Sequence, residues 1–198
     1  MSVDLTISDR IGGISICDGN QYSRIDLTTG AVETIDYAHH EIHAGSHFMY
    51  TDAVTLGEAG VQNYLITTPN TTKWAHMIFV MDGSAITTFE LYEATNKGGT
   101  TLQTVGNSNR NSTTVATTTI HKGLTGGDSD GTLIHKFAGG SATNQSKDSS
   151  STRNDEELVL KQNTKYILRV TSGTASNLTN VKLAWYEHTN KAAITLVG

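Results

Sequence analysis

Cysteine and proline are nearly missing from this chain of 198 residues, with Cys17 and Pro69 the single copies. One thiol excludes an internal disulfide framework and any zinc site built on several cysteines. One proline leaves almost every backbone amide able to join a ladder. Charge is sparse as well, at 17% of residues, and hydrophobic residues reach only 36%, both low for a globular enzyme. The 14 lysines and arginines stand singly in a chain of formal charge -5. Duplex nucleic acid needs clustered cations to displace counterions, so no nucleic-acid partner is expected. The longest apolar run, Met77 to Met81, is far too short to cross a bilayer, and no membrane partner is expected. The opening MSVDLTISDR has no basic head followed by an apolar run, so no signal peptide is expected.

What is abundant is Thr, with Ser, Asn and Gly. Thr suits a pleated surface through its branched Cβ, while Gly and Asn supply turns. Strand patterns recur at short spacing: Val61–Thr67, Trp74–Met81, Ile86–Glu93, Thr113–His121, Thr132–Phe137, Glu157–Leu160, Thr164–Thr171 and Val181–His188. Trp74–Met81 is almost continuously apolar and reads as a central strand buried on both faces. With the turn at Asp82-Gly83-Ser84, residues 74 to 93 read as the best hairpin in the chain. No helix longer than a turn or two is expected. The fold class is all-β, an antiparallel β-sandwich or jelly roll, with an extended N-terminal arm.

The organisation turns on Tyr37–Tyr50, which reads YAHHEIHAGSHFMY and holds four of the eight histidines. Upstream, residues 1–36 alternate weakly, with a tight turn expected at Asp18-Gly19-Asn20. They carry too few large side chains to fold alone. Two arrangements suit them: an arm buried on another surface, or an edge hairpin of the same sandwich. Residues 37–198 form the body, whose strands are expected to start after Asp52. A loop over 138–155 has no apolar residue larger than Ala and is expected to be mobile.

Candidate chemistry is thin. If residues 38–43 are extended, His39, Glu41 and His43 share one face, and His47 or His76 could complete a metal set. The spacing matches no ordered motif, so no metal and no cofactor is assigned. The four residues His39, Glu41, His43 and His47 read instead as the junction holding arm to body. A further reading is an interface that loosens as the imidazoles protonate near pH 6. No G-x-S-x-G elbow, P-loop or paired carboxylates in a cleft are found, and Asp128, Asp130 and Gly131 match only part of a calcium loop. No catalytic set emerges, and the chain is not expected to be an enzyme. Trp74 and Trp185 read as core residues rather than sugar platforms.

The stretches TTGAVETIDYAHHEIHAGSHF, TTPNTTKWAHMIFVMDG and LKQNTKYILRVTSG, with the ending VKLAWYEH, resemble head decoration (capsid cement) proteins of tailed bacteriophages. That resemblance implies a β-sandwich on the capsid exterior of the virion, made in the host cytoplasm and bound to the major capsid protein. It also implies a homo-oligomer, a trimer among the forms such proteins take, with no catalytic residues. On this reading Val3, Leu5, Ile7, Ile11 and Ile14 contact the shell or a sister subunit. A second reading is a glycan-binding sandwich module of a tail fibre or baseplate. A third is a metal-dependent jelly-roll enzyme using the histidines.

Overall fold

The computed structural model describes residues 17–18, 21–22, 37–140 and 157–189. The chain divides into two compact units, Met1–His40 and Glu41–Gly198. In the first, β1 (Cys17–Asp18) pairs antiparallel with β2 (Gln21–Tyr22), Asp18 opposite Gln21. Val3, Leu5, Ile7, Ile11 and Ile14 lie outside the described residues.

The second unit is an antiparallel β-sandwich. The helix α1 (Tyr37–Ala44) leads into it and ends at Gly45, whose φ of 74° suits a residue without a side chain. One sheet has five strands in the order β11-β5-β13-β3-β8. These are β3 (His47–Leu56), β5 (Lys73–Gly83), β8 (Gly106–Asn107), β11 (Leu158–Leu160) and β13 (Asn177–Thr189). The other has six, ordered β10-β6-β12-β4-β9-β7. They are β4 (Val61–Thr67), β6 (Thr87–Glu93), β7 (Gly98–Leu102), β9 (Thr119–Thr125), β10 (Thr132–Gly139) and β12 (Lys165–Ser172). Both sheets have early and late strands side by side at their centres. Strand β13 lies between β3 and β5, and β12 between β4 and β6.

Alternation along the strands sends one set of side chains between the sheets. Phe48, Tyr50, Tyr64, Ile66, Met77, Phe89, Leu91, Ile120, Tyr166, Leu168, Val170, Leu183 and Trp185 fill that layer. Trp185 is fully buried, as its sequence context suggests.

Several sequence expectations are corrected. The body's strands begin at His47, before Asp52, because Phe48 and Tyr50 face the core. Residues 38–43 are helical, so His39 and His43 stand one turn apart while Glu41 points elsewhere. Strand β5 is not buried on both faces: Ala75, Met77 and Met81 face the core, whereas Trp74, His76 and Val80 are half-buried on the outer side. Nor do β5 and β6 form a hairpin, since they belong to different sheets. Buried Asn177 dictates the crossing. Its Oδ1 accepts from the Ala85 amide at 3.0 Å, and its Nδ2 donates to the Ile86 carbonyl at 3.0 Å and to Thr87 Oγ1 at 2.8 Å. Strand β9 starts at Thr119 rather than 113 and runs past His121 to Thr125. Ala138 and Gly139 finish β10, so the loop expected over 138–155 begins later; residues 141–156 lie outside the described residues.

The outer face of the six-stranded sheet is closed by its own connections. Residues 94–97, joining β6 to β7, and residues 126–131, joining β9 to β10, both pass across β12 and β4. Side chains lace them together: Thr95 Oγ1 donates to the Ser129 carbonyl at 2.7 Å, and Asn96 Nδ2 to Asp128 Oδ1 at 2.7 Å. On β12, Lys165, Ile167 and Arg169 share the outer face. Lys165 Nζ donates to the Lys97 carbonyl at 3.1 Å, Arg169 Nη2 meets Asp130 at 2.7 Å, and Lys97 Nζ meets Asp130 at 2.5 Å. The resulting arch spans Ile167, which is 0% exposed although it points away from the main core. Asp130 is thus an ion-pair partner, and the guanidinium and ammonium beside it hold its carboxyl below the usual range, Lys97 first.

Candidate functional site

The densest chemistry lies on the outer face of the five-stranded sheet, at the C-terminal end of β13. Residues with the same facing meet there across four strands: Val159 on β11 opposite His76 on β5, then Tyr186 on β13, then His47 on β3. One step along, Trp74 stands opposite His188. Glu157, just before β11, reaches into this row.

The contacts are short and specific. His76 Nδ1 lies 2.5 Å from Glu157 Oε1, and the Tyr186 hydroxyl donates to the same oxygen at 2.7 Å. The other nitrogen, His76 Nε2, lies 2.8 Å from His188 Nε2. His188 Nδ1 is 3.1 Å from the Thr189 carbonyl oxygen. Tyr186 stacks on His76 with centroids 4.7 Å apart and planes 16° from parallel. Edge strand β11 is therefore tied to both β5 and β13 by one carboxylate.

The opposite side of β13 carries the second carboxylate. Glu187 faces inward beside Trp185 and is 3% exposed. It accepts from the Thr118 amide at 2.8 Å, the Thr117 amide at 2.9 Å, Thr117 Oγ1 at 2.5 Å and Trp185 Nε1 at 3.1 Å. Burial alone would raise its pKa, but these donors outweigh it and hold the carboxyl below the ordinary glutamate range. Glu187 also takes the Thr117 and Thr118 amides that a ladder would use, just before β9 begins at Thr119.

The expected junction residues fall at the start of the body. Glu41 is buried and accepts from Ser46 Oγ. The His43 carbonyl accepts from Asn109 Nδ2 at 3.2 Å, and His47 Nδ1 lies 2.6 Å from Ser108 Oγ. His47 is pushed below the usual imidazole range by burial and by Lys182, against an opposing pull from Glu41. The structure brings His43 and His47 to the loop after β8 and Glu41 to Ser46, while His39 stands exposed on the helix. Among the described residues, no group of three or more His, Cys, Asp or Glu side chains is placed to hold a metal ion.

Sequence reasoning passed over His188, Tyr186 and Glu157 as site residues and treated His76 only as an accessory to the 39–47 segment. One signal was present. Trp74-Ala75-His76 and Tyr186-Glu187-His188 are both aromatic-x-His, the period that puts ring and imidazole on one face of a strand.

The other end of the same outer face is plainer. Thr51, Ala53, Val80, Asp82, Asn180 and Lys182 line a shallow groove of about 420 Å³, with Asn180 Nδ2 donating to Asp82 Oδ1 at 2.6 Å. Comparison with protein-family models, with curated proteins and with solved structures finds no match.

Proposed function

We propose that this chain is a non-enzymatic structural protein that decorates and stabilises the exterior of a phage capsid by bridging major capsid subunits. The observation that carries the reading is the division of the chain. A sandwich from Glu41 onward closes its core with its own residues, and Met1–His40 forms a separate unit. A cement protein needs a rigid body and a second element that reaches a neighbour, because many weak contacts on one shell sum through effective concentration. Val3, Leu5, Ile7, Ile11 and Ile14 supply the apolar contacts of that second element, by strand addition or by lying in a groove. A homo-oligomer, such as a trimer, raises the number of contacts per particle further. The net charge of -5 and a Thr/Ser/Asn-rich composition suit many copies on a virion surface, after synthesis in the host cytoplasm.

The glycan-binding reading loses one of its two tryptophans, because Trp185 is sealed in the core. The test is truncation. Removing residues 1–20 should leave a folded body, by circular dichroism and thermal melting, that no longer sediments with capsids lacking their own decoration. Unimpaired capsid binding by the truncated chain overturns the role given to the N-terminal residues.

A further inference from the structure

The rings of His76 and His188 converge through their Nε2 atoms. Each ring has its Nδ1 against an oxygen that only accepts, the Glu157 carboxylate for His76 and the Thr189 carbonyl for His188. Each Nδ1 therefore carries hydrogen. In two neutral rings both Nε2 atoms then direct a lone pair toward the same point, and they lie 2.8 Å apart. Two such donors converging on one point suit a shared positive ion.

We propose that His76 and His188 form a binding site for one divalent transition-metal ion of the zinc, nickel or copper type, coordinated by the two Nε2 atoms. Imidazole is a favoured ligand for these ions. A histidine that binds metal through one nitrogen usually gives its other N–H to a carboxylate or a backbone carbonyl, which fixes the tautomer and strengthens the ligand. Both rings here have such a partner in place. Glu157 is a positioning residue and also balances charge, and Tyr186 holds both that carboxylate and the face of His76. Metal–nitrogen bonds of about 2.0–2.1 Å in a tetrahedral site set the two nitrogens about 3.3 Å apart. The rings need to part by only about half an ångström from their 2.8 Å separation, and water supplies the remaining ligands. The other titratable groups on this face are His47, beyond Tyr186 in the same row, and Lys182 and Asp82 toward the opposite end. The site is independent of capsid decoration.

The test uses the full chain. Zn²⁺ titrated by calorimetry at pH 7.5 should show one saturable site and raise the melting temperature. His76→Gln and His188→Gln should each abolish both effects. Glu157→Gln should weaken binding by about 10–100-fold. The double variant His39→Gln/His43→Gln should bind as the wild type does. On the unaltered chain, Zn²⁺ should shift the ¹⁵N resonances of the His76 and His188 rings and leave those of His121 and His135 unmoved, a readout that needs no variant to fold. The proposal is overturned if the wild type binds no Zn²⁺, which would mean that a proton alone fills the gap. It is equally overturned if His188→Gln, folded by circular dichroism, binds as before.

Discussion

Two carboxylates flank the same end of strand β13, and their settings differ in kind. Glu187, facing in, is enclosed by four donors that are fixed parts of the protein: two amides, a hydroxyl and an indole N–H. Glu157, facing out, is held by two side chains, a phenol and an imidazole. The two faces of one sheet thus hold two differently built carboxylate sites near the same end of β13. The inner carboxylate fixes a loop; the outer one ties the edge strand to its neighbours.

The largest effect expected from this contrast is on stability. Glu187→Ala leaves buried amides and an indole N–H without acceptors and should cost at least about 2 kcal/mol in urea unfolding. Glu157→Ala removes a partly exposed contact and should cost no more than about 1 kcal/mol. Equal losses would erase the distinction. A smaller effect is expected in acid. Glu187 has a folded pKa below its ordinary 4.5, so its contribution is present above that value and is lost as pH falls through the lower, folded one. The wild type should therefore lose stability more steeply below pH 4.5 than Glu187→Gln does. The smallest effect concerns His47. Its folded pKa is below the ordinary 6.5, so the unfolded chain takes up the proton first and stability declines as pH drops through 6.5. Chemical denaturation at pH 7.5 and 5.5 should show a shallower decline in His47→Gln. An unchanged slope would mean that the imidazole titrates alike in both states.

Strands with dense apolar patterns were legible with almost correct bounds. Val61–Thr67 is β4 as read, and Thr164–Thr171 and Val181–His188 lie at the centres of the sheets as β12 and β13. Strand β3 was hidden because Asp52 interrupts the alternation of Phe48, Tyr50, Val54 and Leu56. The carboxylate is accommodated by the Tyr64 hydroxyl at 2.7 Å and Lys122 at 2.7 Å, partners that no local window contains. Turn residues after β5 announced a reversal, but whether a reversal stays in its sheet or crosses to the other depends on Asn177, some ninety positions later. The candidate site suffered most from this distance. Local density drew attention to the histidines of 39–47, whereas the imidazoles that meet, His76 and His188, are 112 residues apart.

The central pairings also constrain how this protein is made. Among the described residues, strand β12 is the link between β4 and β6, and β13 the link between β3 and β5. A nascent chain emerging from the ribosome carries β3, β4, β5 and β6 each with one side still unpaired until β12 and β13 arrive. A copy broken off before Lys165 is left with four part-sheets, β10-β6, β4-β9-β7, β11-β5 and β3-β8, so translation errors of that kind yield separated fragments of sheet rather than a truncated sandwich.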